Sequence, residues 1–598
     1  MSVSFYTGCD VASAAGRQRF SDSDPRWNYA VLSSVLAALL CAASSAAQAR
    51  TIKAASPSLT DVRRAIAAAV HGDTVIIPAG TAAWTSALTV TKGITIQGQT
   101  TVNSDNGTAN DQTILVDNLA PVGGDQGFFH CTVNSGQSLR ITGLTFTGTG
   151  GRSGRVYFNG AVRLSGTSDQ VRIDHCHFTD LRHAPNIGVW SAIYGVADHI
   201  VFDTFHTGCE SVNIYNGVGY GDLEWTQTAG YGSSHFFFIE DCYINNGAPT
   251  YYTPDGGVNA QAGGRYVVRY CHLFSIALLN HGTEEDRRRG GRGVEIYNND
   301  YHWAFALTMD GVRSGGLIVH DNTLFGTLPY GWGLQTYRLF YKYNVNWLGA
   351  SGDNNWDVNV TEADGTHIGG RSPYLFESGT VTSGSFDLNH FLSFLTDTSK
   401  SWTTNQWAHC TVRRLSDNFI GQVISNTSNT LTMRFYRTDS SPAWAAGNQY
   451  QIHKVLISLD QPGRGAGDLI TGNPPNQVNV TTGTVAWPHQ ALEPCYSWNN
   501  IHSPGGEHIN FSPAPSSSAT LLSGRDYFND TPMPGYTPYT YPHPLTTGVR
   551  ASTSATRDSQ RNLNKNKERK AKKIKKWKWG GAKETSANEA TERVVPEH

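Results

Sequence analysis

From about Ile94 onward, polar and apolar residues alternate in short runs, each stopped by Gly, Asn, Asp or Ser. The runs include LRITGLTFTG, VRIDHCHFT, HIVFDTFHT, FFFIEDCYINN, YVVRYCHLF, VEIYNNDYHW, LIVHDNTLFG and LFYKYNVNW. A period of two marks half-buried strands, and the breakers between the runs mark tight turns. Aligned on the pattern I-x-x-C-x-F, they bring Cys176, Cys242, Cys271, Asn299, Asn322 and Asn344 (or its neighbour Tyr343) to one position. From Cys242 the successive spacings are 29, 28 and 23 residues, then about 22. A strand–turn–strand unit at this period predicts an all-β parallel β-helix, in which each coil buries its apolar face only against its neighbours. Asn at equivalent positions of successive coils can share amide hydrogen bonds and so close the sharp turn that each coil needs.

Ahead of the repeats, SLTDVRRAIAAAVH (58–71) reads as an N-terminal capping helix. Val62, Ile66, Ala69 and Val70 lie on one face, and Ser58 or Thr60 is available as N-cap. After Gly349 the coil pattern breaks. Residues 351–480 form an expected insertion, with a small β module at 380–455 whose Trp402, Trp407 and Trp444 are either core or glycan contacts. The coils resume near YSWNNIHS, within 481–550, and the Pro/Tyr-rich stretch 525–545 is expected to lie along the solenoid as an extended strap. Beyond Arg550 the chain is low-complexity and basic, a composition that predicts disorder, with cell-envelope contact as one use for its charge.

Composition sharpens this picture at three places. Residues 1–49 have the order of an export leader, with Arg26, an apolar run Ala30–Ala43 and the small-x-small site Ala47-Gln48-Ala49. The expected location is secreted, cell-surface or periplasmic. The net charge of −2 hides a basic tail on a mildly acidic body, so nucleic-acid binding by residues 50–350 has no electrostatic support. Nine cysteines include no C-x-x-C pair. Cys176, Cys242 and Cys271 recur in equivalent strands and read as a ladder of buried free thiols.

The coil period, the helix before it and the strand signature YNN resemble the pectin-lyase-like superfamily of right-handed parallel β-helices, over about residues 55–350 and 490–550. That resemblance implies a carbohydrate-active protein, expected to be monomeric, whose partner is an anionic polysaccharide. The expected reaction is β-elimination, in which a base removes the proton α to a uronate carboxylate while a cation neutralises that carboxylate. The segment RRRGGRGVEIYNNDY is similar to the stretch in which pectate lyases carry an arginine base, which points to Arg288, Arg289 and Arg292. His281 is a second candidate base, with a pKa in the working range and Glu284 close in sequence. Arg265, Arg269, Glu284 and Glu295 are the accompanying substrate-gripping candidates, Glu295 by orienting the arginines. The stretch DGGVNA resembles the family's Ca²⁺-binding segment, with Asp255 as one ligand and Asn259 in place of the second carboxylate. Two other readings stay open. A glycoside hydrolase would use paired carboxylates from Asp174, Asp203, Glu240 and Asp241. A non-catalytic surface glycan binder would use the inserted module and the basic tail.

Overall fold

The computed structural model describes residues 48–119, 127–148, 160–181, 185–203, 210–217, 221, 223–245, 256–282, 289–304, 308–335, 375–390, 392–408, 410–417, 419–434, 443–454, 460–467, 470–471, 478–479, 490–514 and 521–547. The chain divides into two units, Met1–Arg50 and Thr51–His598, and the architecture below belongs to the second.

Its repeating strands stack into three parallel sheets. The first has twelve strands, from Thr51–Lys53 to Tyr527–Phe528. The second and third have ten each, ending in Ile501–Ser503 and Phe511–Pro513. One coil gives one strand to each sheet, as in Val171–Asp174, His177–Thr179 and Ile187–Trp190. This is a parallel β-helix. Its interior is a set of like-on-like columns. Ile141, Ile173, Ala197, Ile239, Val268, Ile296 and Val319 are in register along the first sheet, all fully buried. Phe146, Phe178 and Phe202 stack along the second, with ring centroids 4.8 and 5.2 Å apart. Burying one such ring contributes about 1.5–3 kcal/mol, which explains why apolar residues recur at fixed phase.

The corner between the first and second sheets shows why the Cys/Asn position repeats. Its leading residue is left-handed in successive coils, with φ between 50° and 56° at His175, His199, Asp241, Tyr270, Asn298, Asp321 and Asn499. The residue after it turns inward and bonds to the next rung. The Cys242 N–H donates to Cys271 Sγ at 3.4 Å, and the Cys271 N–H to Asn299 Oδ1 at 3.0 Å. Asn299 Nδ2 donates to Asn322 Oδ1 at 3.0 Å, and Asn322 Nδ2 to Asn500 Oδ1 at 2.8 Å. These bonds satisfy backbone groups that a sharp corner would otherwise leave buried and unpaired. The ladder corrects one expectation. Asn344 lies outside the described residues, and the rung after Asn322 is Asn500, because the strand beside Gly316–His320 is Cys495–Trp498. The cysteines among the described residues are buried free thiols.

The N-terminal helix spans Leu59–Ala68, with the Ser58 side chain accepting from the Asp61 N–H. Val62, Ala65 and Ile66 join the main core. Lys92 Nζ donates to the carbonyls of Ile66, Ala67 and Ala69, closing the C-terminal end. Val70 is 52 % exposed, against expectation, because the backbone becomes extended at Ala69 and leaves the helical phase. Between the ninth and tenth coils that give a strand to all three sheets, Leu375–Thr380 to Gln449–Lys454 form a seven-stranded antiparallel sheet. Trp402, Trp407 and Trp444 lie in its own core, which removes them as exposed glycan contacts. The stretch from Thr531 to Thr546 runs over the outer face of the first sheet, bonded to Glu295, Arg269, Glu240 and Arg172 in four different coils.

Candidate functional site

The predicted arginines go inside. Arg269 is fully buried, pairs with Glu240 at 2.6 Å and donates to the carbonyls of Tyr539 and Thr540. Arg292 is fully buried against Trp225 and donates to Glu493 at 2.7 Å and to the Gln227 carbonyl. Arg289 chelates Asp460 with Nε and Nη2, and Arg265 pairs with Glu224. Each guanidinium is neutralised by a carboxylate that folding buries with it. Such pairs hold loops and the strap to the coils, and they leave no base or free cation for a polymer outside. Glu295 likewise orients no arginine. It lies under the strap, accepting from the Tyr536 hydroxyl at 2.5 Å and the Gly232 N–H at 2.8 Å. Burial pushes its carboxyl up to about 7 against those two bonds. Arg288, Glu284 and Asp255 lie outside the described residues.

The hydrolase carboxylates are distributed in the same way. Asp174 is buried; burial alone would raise its pKa, but Arg140, His175 and Arg172 hold it well below the usual carboxylate range. Glu240 is spent on Arg269 and the His543 N–H, Asp241 accepts from the Tyr541 hydroxyl, and Asp203 sits on the second sheet. Asp174 and Glu240 are buried in the first sheet two register steps apart, with Asp198 between them.

What remains is the outer face of the third sheet, where two outward rows run across successive coils. The first row is His130, Arg163, Gly188, Asn213, Asn259, Leu279 and Gly311, each paired in register with the next. In the second row Trp190 pairs with Tyr215. The row continues one residue past the ladder at Gln261, His281 and Arg313, whose N–H groups donate to Ile214, Ala260 and Asn280. Trp190 and Tyr215 are stacked at 4.2 Å and 11°, and the Arg163 guanidinium lies 5.6 Å from the Trp190 ring. Glu210 accepts from Asn213 Nδ2 at 2.6 Å and Asn259 Nδ2 at 3.0 Å, which links two coils. The opposite ends of both amides are unsatisfied. Asn213 Oδ1, Asn259 Oδ1 and Trp190 Nε1 are buried with no hydrogen-bond partner. Native proteins rarely leave such atoms orphaned, and three of them lie on this one face.

No family model matches the chain. No curated protein matches it either. Among solved structures, the alginate lyase from Paenibacillus sp. str. FPU-7 is similar at 14% identity and a TM-score of 0.27, covering 47% of this chain and 94% of that one. The tailspike protein gp49 of Acinetobacter baumannii bacteriophage Fri1, a capsular polysaccharide depolymerase, is similar at 8% identity and a TM-score of 0.17, covering 69% and 85%.

Of the residues singled out in the sequence, the face therefore gathers His281 and Asn259. Arg163, Trp190, Glu210, Asn213, Tyr215 and Arg313 escaped notice. One signal could have found most of them: each outward residue stands directly beside an inward apolar one, as in Arg163-Leu164, Asn213-Ile214 and Asn259-Ala260. His130 is no free base, because its Nε2 accepts the Gly127 N–H. Of the expected calcium pair only Asn259 lies among the described residues, since Asp255 is outside them. Both asparagines turn N–H groups toward Glu210, and among the described residues no three acidic, His or Cys side chains converge as a metal set.

Proposed function

We propose that this protein binds a polysaccharide across the coils of the third sheet and cleaves it by β-elimination. The observation that carries the reading is the stacked Trp190–Tyr215 pair beside buried, unpartnered amide and indole groups. Aromatic rings with a ring of polar atoms match the two characters of a sugar, an apolar C–H face and a hydroxyl rim. The neighbouring positions of His281 and Arg313, one coil apart in the second row, support the chemistry. His281 takes the C5 proton, Arg313 neutralises the adjoining uronate carboxylate, the C–H electrons form the C4=C5 bond as the C4–O bond breaks, and the departing oxygen takes a proton from water to leave as a hydroxyl. No step is routed through a metal. Export rests on the leader, which lies outside the described residues, as does the basic tail offered for envelope contact. Among the described residues no helix is long and apolar enough to cross a membrane.

Ultraviolet absorbance during incubation with uronate polysaccharides tests the reading. The signal should rise with new unsaturated ends, His281→Ala should abolish the rise while retaining binding, and Trp190→Ala should weaken binding about tenfold or more. A flat signal with new reducing ends refutes elimination in favour of hydrolysis. Binding without either product leaves a non-catalytic binder.

A further inference from the structure

Two consecutive coils carry the same dipeptide at the same corner, Asp174-His175 and Asp198-His199, with the two aspartates in register along the first sheet. From their geometry we infer that His175 and His199 together bind a late first-row divalent metal ion, such as Zn²⁺, through their Nε2 atoms. This corner joins the first and second sheets, so the inference is independent of the polysaccharide face proposed on the third. The two imidazoles are parallel, with ring centroids 5.0 Å apart and planes 2° apart, and both side chains are 44 % exposed. Their Nδ1 atoms lie 2.8 Å from the Asp174 carboxylate and 3.0 Å from that of Asp198.

Those carboxylates decide the tautomer. Asp174 is fully buried and accepts from Arg140 at 2.7 and 2.6 Å, and Asp198, equally buried, accepts from Arg172 at 2.8 and 2.7 Å. A carboxylate clasped by a guanidinium only accepts, so each Nδ1 carries the ring proton and each Nε2 keeps its lone pair. Neither Nε2 has a hydrogen-bond partner among the described residues. An imidazole fixed from behind by a carboxylate, with its other nitrogen open, is the arrangement that metal-bound histidines have. Parallel rings put the two Nε2 atoms about 5 Å apart. Tetrahedral ligands about 2.1 Å from zinc stand about 3.4 Å from each other, so each ring tips by about 0.8 Å at Nε2 to close on one ion. Half-exposed rings can make that movement without displacing the core. Two protein ligands leave the ion's other positions to water. Charge favours a cation over an oxyanion. Each guanidinium is matched by one carboxylate, and the next residue of the corner row, Asp241, adds a negative charge that acts on His199. Asp241 accepts from the Tyr541 hydroxyl and is bonded to no cation among the described residues.

The test is equilibrium dialysis of the metal-stripped full chain against Zn²⁺ at about pH 8, where the neutral imidazole is the ligand form. His175→Asn and His199→Asn are suitable variants, because Asn298 and Asn499 hold the same left-handed corner in later coils. Thermal melts verify that they fold. Wild type should bind one more Zn²⁺ than the double variant, and each single variant should weaken the hold on that ion about tenfold or more. An excess of Ca²⁺, which prefers oxygen ligands, should not displace it. Equal Zn²⁺ binding by wild type and the folded double variant overturns the inference, as does displacement by Ca²⁺.

Discussion

Glu295→Gln should decouple the strap from pH. In the wild type the Glu295 carboxyl lies beneath Tyr536, and burial raises its pKa from 4.5 to about 7. When the strap lifts, the carboxyl meets water and returns toward its ordinary value. Below about pH 4.5 both forms are protonated and the difference contributes nothing. Between 4.5 and about 7 the lifted form ionises first, so the closed form loses stability as the pH rises, and above 7 the loss is complete. At 1.36 kcal/mol per pH unit the full loss is about 3 kcal/mol, or about 300-fold in the opening constant. That figure is a ceiling, since it takes the opened carboxyl as fully hydrated. The neighbouring imidazoles are common to variant and wild type, so the comparison cancels them. Burial and Arg269 push His543 down to about 3, and burial also lowers His320. Gln keeps an oxygen for the Gly232 N–H, offers its amide N–H to the Tyr536 hydroxyl, which can accept, and cannot ionise. Amide hydrogen exchange of the strap, read at the His543 N–H that donates to Glu240, gives the opening constant. Comparing variant with wild type at one pH cancels the intrinsic exchange rate. The two should agree near about pH 4 to 5, and near pH 8 the wild type should open tens to hundreds of times more often. Equal exchange near pH 8 would refute a strap held over a strained carboxyl.

Two further substitutions probe the scaffold. Asn322→Ala removes the acceptor for the Asn299 N–H and Nδ2 and the donors to Asn500, Ile296 and His320, so chemical denaturation should show a loss of about 2–4 kcal/mol. A loss under about 0.5 kcal/mol, the range of surface changes, would mean that the ladder is ornamental. Arg269→Met strands the Glu240 carboxylate inside, which should cost about 3–5 kcal/mol. Adding Glu240→Gln should recover part of that loss, and a double variant no better than the single would argue against the ion pair as the cause.

The fold was legible because a coil is a local object. Its strands, its left-handed corner and its inward Cys or Asn lie within one short stretch, so the alternation of apolar residues and the recurrence at Cys242, Cys271, Asn299 and Asn322 could be read directly. The fate of the arginines could not. Arg289 is neutralised by Asp460 and Arg292 by Glu493, residues that follow the inserted sheet, and nothing in RRRGGRG records that they arrive. The same distance hid Asn500, for which Asn344 was a plausible substitute in phase and type. The third-sheet face was missed for a different reason. The connections from the second sheet to the third vary in length, so the phase that relates Arg163, Asn213 and Asn259 is lost in a residue-by-residue comparison and restored only by the sheet.

The passage from Leu334 to Cys495 has a consequence for how the molecule could be cut. All three sheets cross that boundary by pairing: Gly316–His320 with Cys495–Trp498, Thr323–Gly326 with Ile501–Ser503, and Gly331–Leu334 with Phe511–Pro513. The last coils adhere to the stack through strand pairing, the Asn322–Asn500 rung and the strap that doubles back over earlier coils. Covalent continuity contributes mainly an effective concentration, and that falls only slowly with the length of the connection. Two separately made pieces, divided within the insertion, thus carry complementary edges and the fastening that joins them. The boundary is a natural place to split this protein into halves that find each other.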